Sequence, residues 1–310
     1  MVTAYTMSES VALGIYRPEL PNDLSALDEY DSRSGQPTAI AHWYALWGGW
    51  KSAFSHSDLE AVHARGKLPM ITWEPWSGAG LDPRWSLGNA ILSGQNDAYI
   101  ESWARGLAAY GRPVLLRFAH EMHQQAYPWA IDQHGNTPGD YVAAWRYVHG
   151  FFERAGATNV RWVWNPNTLG DATAAVYEPV YRSLYPGDAY VDWLGLDIYN
   201  TGPDVDWGAP YWRSFEQVLG EPYKAITALS DKPLILAEVG SAETGGSKAA
   251  WIRDALTTQL PTHFSRVRAV VWFDVVKEAG WALHSSHDAF DAWIAATRLP
   301  LYGMASPAPY

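Results

Sequence analysis

The chain contains no cysteine. Disulfides, cysteine-bearing zinc sites and thiol catalysis are therefore excluded. Positive charge is scarce: 22 Lys and Arg face 33 Asp and Glu, a net charge of −11. Such a chain is a poor partner for nucleic-acid phosphates or an anionic membrane surface. No apolar run approaches the ~18 residues of a membrane helix. Met1 to Ser10 lacks the apolar stretch of a secretory leader. Phenylalanine is sparse, 8 residues against 18 Trp and 18 Tyr. Aromatics with a polar handle bury an apolar body while keeping one hydrogen bond. They suit a ring-rich core and equally a cleft for a ligand with both CH faces and OH edges.

Hydrophobic residues at 48% and charged residues at 18% rule out disorder. At roughly 150 residues per domain, 310 residues suggest two domains. A (β/α)8 barrel of ~250 residues with long loops fits equally well. Buried parallel strands read as short continuous apolar runs. Eight occur, at 11–17, 39–46, 68–76, 113–122, 160–167, 191–200, 233–241 and 267–275. Helical segments fall between them at 23–33, 57–65, 95–110, 140–155, 213–230 and 247–259, with a last one at 286–297. The stretch 171–185 reads as short and irregular. The first strand ends in Arg17-Pro18-Glu19, without the Gly-rich turn of a doubly wound sheet. The expected fold is α/β, a single-domain (β/α)8 TIM barrel over residues 1–310.

In such a barrel, function concentrates at the C-terminal ends of the strands. Those ends carry His42, Glu74, Arg117-Phe118-Ala119-His120-Glu121, Asn165, Tyr199, Glu238 and Trp272. Lys and Arg are few there and no phosphate loop is present, which argues against phosphorylated substrates. Glu121 after the fourth strand and Glu238 after the seventh would face each other across the mouth. Glycoside hydrolysis needs such a pair: one protonates the leaving oxygen, the other attacks the anomeric carbon or activates water. A salt bridge to Arg117 is the structural alternative for either one. His120-Glu121 with His123 spells HExH, the wrong spacing for two metal ligands on one helix face.

Around these residues the sequence resembles glycoside hydrolase family 26. LLRFAHEMHQQAYPWA resembles the family's acid motif. Residues 155–167 resemble its fifth strand, 185–200 its sixth, 232–252 its nucleophile region and 270–278 its eighth strand. The resemblance runs from about Leu13 to Thr297. It implies that Glu121 is the general acid/base and Glu238 the nucleophile of a retaining mechanism. It further implies that His120 bonds the sugar on the cleaved side, and that Tyr199 orients Glu238. Trp272 would floor that pocket, Trp129 line its side, and Arg117 support the fourth-strand carboxylate from below. His42, Glu74, Asn165 and His123 are further candidates for substrate contact. No metal or cofactor is expected.

The segments 71–76, 127–131 and 241–252, with Trp281, Ser285 and Ser286, look more like the lichenase branch than the mannanases. Three positions depart from the family pattern: His123-Gln124, Ala282 and His284. The expected activity is an endo-acting hydrolase of mixed-linkage β-1,3-1,4-glucan, with β-mannan or a rarer β-glycan as alternatives. An inactive sugar-binding barrel and a barrel lyase or aldolase compete. Both glutamates are present, and no strand-end lysine is. The partner would be a β-linked polysaccharide or oligosaccharide, with no nucleic acid and no membrane, and the protein is expected to be a monomer. Polymers do not cross membranes readily, so an extracellular location is expected from substrate size.

Overall fold

A computed structural model describes residues 10–206 and 208–302. The leader reading on Met1 to Ser10 thus falls almost wholly outside the described residues. Eight parallel strands close into a barrel in sequence order: β1 (Ala12–Tyr16), β2 (Ile40–Leu46), β3 (Leu68–Glu74), β4 (Val114–Phe118), β5 (Val160–Trp164), β6 (Trp193–Asn200), β7 (Leu234–Ser241) and β8 (Val267–Phe273). Closure is made by β1 on β8, from Ala12 opposite Ala269 to Tyr16 opposite Phe273. The helices are α1 (Ser25–Ser34), α2 (His56–His63), α3 (Asp97–Tyr110), α4 (Pro138–Ala155), α5 (Ala174–Leu184), α6 (Phe215–Thr227), α7 (Lys248–Asp254), α8 (Leu260–His263) and α9 (His287–Thr297). No described helix is long and apolar enough to cross a membrane.

Local chemistry explains the helix limits. Ser55 caps α2, accepting from the Asp58 N–H at 3.2 Å, so the helix begins ahead of the expected 57. Thr137 with Asp140 and Ser214 with Gln217 form capping boxes on α4 and α6. Gly35, Gly111 and Gly156 end α1, α3 and α4 in the left-handed conformation. Two expectations need correction. The stretch 171–185 contains a regular helix, α5, despite Pro179 inside it. Its buried Tyr177, Tyr181 and Leu184 recur at i, i+4 and i+7, and this packing outweighs the lost backbone bond. The fourth strand stops at Phe118, not Met122.

The barrel interior is layered. Its lower part is apolar, filled by Ile40, Met70, Leu115, Val163, Trp193 and Ile235 among others. Above this, toward the C-terminal ends, the inward positions turn polar: His42, Thr72, Arg117, Asn165 and Asp197, all fully buried. A separate and larger apolar layer lies between strands and helices. Most of the tryptophans belong to it, so the surplus of Trp chiefly serves the core.

Candidate active site

Backbone irregularities aim the two carboxylates. On β7, Ile235 and Ala237 point into the barrel while Leu236 and Val239 point outward to the helices. Strict alternation would send Glu238 outward as well. The register slips by one residue against both neighbours: Leu196 faces Leu236, but the next residue, Asp197, faces Glu238. On the other side Leu236 faces Val270 and Val239 faces Trp272. The extra residue is a β-bulge, which turns a side chain to the other face. Ala237 and Glu238 therefore both point inward.

Beyond β4 the chain takes left-handed backbone at Ala119 (φ 41°) and Glu121 (φ 51°). Such conformations cost ~1–3 kcal/mol each in non-glycine residues and persist only where surroundings over-determine them. They do so here. The Ala119 N–H donates to Trp73 O at 3.1 Å, and Tyr141 donates its hydroxyl to Ala119 O at 3.1 Å. Trp129 Nε1 donates to His120 O at 2.8 Å, and the Glu121 N–H to Asn165 O at 2.8 Å. His120 and Glu121 are thereby held at the mouth.

The electrostatic surroundings of the two carboxylates differ. Glu238, 6% exposed, accepts from Tyr199 at 2.5 Å, from Tyr44 and from Arg117. Arg117 Nη1 also donates to both oxygens of Asp197, at 2.8 and 2.9 Å, and its Nε donates to Thr72 Oγ1 at 2.7 Å. The guanidinium thus ends on Asp197 and the strand-seven carboxylate. The expected support of the strand-four carboxylate is corrected accordingly. Glu121, 9% exposed, accepts from Asn167 Nδ2. Burial, reinforced by the charge of Glu238, pushes its carboxyl up to about 7. One carboxylate is clamped by donors; the other is poised to hold a proton near neutrality.

A third carboxyl, Glu74 at the end of β3, is also pushed up to about 7 by burial. It accepts from Trp76 Nε1 at 3.1 Å and lies 3.9 Å from His120 Nδ1. Burial and Arg117 hold the His120 imidazole well below its ordinary range, so it is neutral. Its Nε2 lies 3.3 Å from the Tyr127 hydroxyl, and its Nδ1 has no hydrogen-bond partner among the described residues. Glu74 and His120 therefore sit side by side at the strand ends, both buried.

Other candidates sit elsewhere. His42 is buried one layer down, 2.7 Å from Thr72 Oγ1. Asn165 donates to Asp197 at 2.8 Å, in space that Gly195 leaves open; a Cβ there would come within 2.3 Å of Asn165 Oδ1. Both are wholly buried, so they brace the site from below. His123 packs its ring against Tyr181 of α5, and burial holds it at about 4. Trp129 is fully buried, stacked at 4.4 Å under Tyr127, so the half-buried Tyr127 and Trp76 line that wall. Trp272 is a correction. It lies on the outer face of β8 against Trp251 and Trp293, and cannot floor the pocket. Trp281, in the loop after β8, packs at 5.0 Å on Tyr199 instead.

Sequence reasoning assigned no site role to Tyr44, Asn167, Asp197 and Trp281. Tyr44 was findable: it stands two residues beyond His42 and shares its face. His120, Asp197 and Glu238 offer atoms within 4.8 Å of one another, a spacing that could hold a metal ion. Arg117 already supplies the positive charge to both carboxylates.

With this geometry in place, similarity to known proteins is informative. The sequence profile of glycosyl hydrolase family 26 matches residues 35–251. The chain belongs to that family. As a family 26 glycoside hydrolase it matches Endoglucanase H of Acetivibrio thermocellus at 38% identity over 276 residues. That alignment covers 87% of this chain and 28% of the relative. A mannan endo-1,4-β-mannosidase of Bacillus subtilis is 27% identical over 164 residues, covering 51% of this chain and 38% of that one. The chain thus spans well under half the length of these curated relatives. An endo-β-1,4-mannanase from Cellulomonas fimi superposes with a TM-score of 0.73 at 18% identity, over 96% of this chain and 72% of that chain. A β-mannanase from Bacteroides ovatus superposes at 0.68 and 17% identity, over 97% and 92%. At such identities the superpositions attest the barrel. The profile match ends before β8, the strand on which the expectation for Trp272 went wrong.

Proposed function

We propose that this hydrolase cleaves β-glycan chains internally with retention, preferring mixed-linkage β-1,3-1,4-glucan, with Glu121 as acid/base and Glu238 as nucleophile. The observation that carries this is the contrast between the two carboxylates. Glu238 accepts from Arg117, Tyr44 and Tyr199, which fix its position and orientation. Glu121 is held near 7 by burial and by Glu238. A carboxyl kept near neutrality by burial suits the acid, and a carboxylate held in place by three donors suits the nucleophile.

In the first step Glu238 attacks the anomeric carbon. The bond to the leaving oxygen breaks, and that oxygen takes the proton of Glu121. The product is a glycosyl ester on Glu238. In the second step Glu121, now a carboxylate, takes a proton from water. The water oxygen attacks the anomeric carbon from the face the first leaving group vacated, opposite Glu238, whose ester bond breaks, and the anomeric configuration is restored. Tyr199 and Tyr44 hold the nucleophile's orientation, and Asn167 holds the acid's. His120 and Glu74 would bond hydroxyls of the sugar being transferred.

A glucan is favoured over a mannan by the relatives. Similarity to the endoglucanase extends over 87% of the chain, whereas that to the mannosidase covers 51%. An endo-β-mannanase is the second reading, supported by the mannosidase relatives. The test is product release from barley β-glucan, lichenan, glucomannan, galactomannan, laminarin and xylan, with wild type and Glu238→Ala in parallel. Oligosaccharides from β-glucan and lichenan alone, absent with the variant, support the proposal. Cleavage of mannans would replace it with the second reading. Full activity of Glu238→Ala would remove the nucleophile assignment.

A further inference from the structure

Lys248 is a buried lysine that the mechanism above does not use. It stands at the start of α7, in the turn where a helix's partial positive charge disfavours a cation. Its side chain is fully buried, which is rare for lysine unless its charge is satisfied. Local structure therefore gives no reason for the residue; its contacts do. Nζ donates to Gly280 O at 2.7 Å, Trp281 O at 3.2 Å, Ala282 O at 2.7 Å and Ser285 Oγ at 2.9 Å. One ammonium thus ties the start of α7 to the loop after β8.

That loop reaches the nucleophile in two steps. Trp281 packs on Tyr199 at 5.0 Å, and Tyr199 donates to Glu238 at 2.5 Å. Gly240 lies against both rings and leaves no room for a side chain: a Cβ there would lie 2.8 Å from Tyr199 and 3.1 Å from Trp281. Trp281 is also fixed through its carbonyl, which accepts from Trp272 Nε1 at 2.8 Å. Ser285, bound by Lys248, donates in turn to Glu243 of the loop after β7. The loops following the strands of Glu238 and Trp272 are thereby stapled together.

We propose that Lys248 is a positioning residue for the nucleophile: its ammonium group fixes the loop after β8 so that Trp281 holds Tyr199 against Glu238. This rests on the nucleophile role proposed for Glu238. The other described buried lysine, Lys67, supplies the control. It lies at the opposite end of the barrel, just before β3, bonded to Thr38 O at 3.0 Å and Thr38 Oγ1 at 2.7 Å.

The experiment compares Lys248→Met and Lys67→Met in the full chain, by thermal melting, by kcat and KM on the glycan that wild type cleaves, and by crystal structure. Both should melt earlier. Only Lys248→Met should lose kcat, by about tenfold or more, with KM changed less than threefold. Its structure should show the Tyr199–Glu238 hydrogen bond lengthened or broken. Lys248→Gln, which keeps two N–H donors, should lose less and serves if the Met variant does not fold. Equal losses of kcat in the two Met variants, or wild-type kcat in Lys248→Met, would overturn the proposal. So would an unchanged Tyr199–Glu238 bond in the variant structure, whatever the activity; failure of the nucleophile reading would show separately, as full activity of Glu238→Ala.

Discussion

Replacing Arg117 by methionine tests how the site's charges are balanced. The guanidinium is wholly buried and pairs with both Asp197 and Glu238. Its loss leaves two buried carboxylates without their cation. Breaking a buried pair by removing one partner costs about 3–5 kcal/mol. For a chain of this length the entropy of unfolding is about 0.65 kcal/mol/K, so the melting temperature should fall by about 5–8 °C at pH 7. The loss should depend on pH. Burial already pushes the Asp197 carboxyl upward, and Arg117 is the chief effect opposing it. Without Arg117, the folded-state value rises further above the unfolded one. A group shifted that way favours the folded state below its unfolded value, near 3.9, and ceases to as pH rises through the folded value. The deficit against wild type should therefore be largest at pH 7–8 and shrink toward pH 4–5. Adding Asp197→Asn should recover part of it, since one of the two unpaired charges is gone. The assay is calorimetry of the four proteins of this cycle across pH. A loss under 1 kcal/mol at pH 7, or one independent of pH, would refute the reasoning.

Other outcomes follow from the same geometry. In the proposed mechanism Glu121 serves as the acid only while protonated, so kcat/KM on polysaccharide should fall as pH rises through about 7; with an aryl glycoside bearing a good leaving group that limb should flatten, and Glu121→Ala should recover activity with azide. Tyr199→Phe removes one donor to a charged carboxylate, worth about 1.5–3 kcal/mol, so the rate of forming the glycosyl-enzyme, read by rapid quench, should drop roughly 10- to 150-fold. Gly240→Ala should lower the same rate, because its Cβ would press on Tyr199 and Trp281, and a wild-type rate would show that the ring gives way at no cost. Trp272→Ala should destabilise by about 3–5 kcal/mol while leaving KM near that of wild type, as a core residue would; a large rise in KM would restore it to the pocket.

The barrel was legible because strands buried on both faces stand out as continuous apolar runs. The same continuity hides which residues face inward. In β8 the run 267–273 is buried almost throughout, and nothing in it distinguishes Trp272, which faces the helices, from Phe273, which faces the mouth. Glu121 and Glu238 were found by their place at strand ends. The devices that aim them were not: the extra residue at Ala237 looks like ordinary strand, and left-handed backbone at Ala119 and Glu121 lacks the glycine that would announce it. Asp197 and Tyr44 gain their meaning from partners 80 and 194 positions away, a kind of pairing that spacing along one chain does not encode.

The central claim is that Glu238 becomes covalently bonded to the sugar. The most direct measurement is incubation with a 2-deoxy-2-fluoro glycoside of the cleaved glycan, followed by mass spectrometry of the peptides. The account predicts one label, on Glu238, forming more slowly in Tyr199→Phe. Label on another residue, or release of product with inverted anomeric configuration and no label at all, would contradict it.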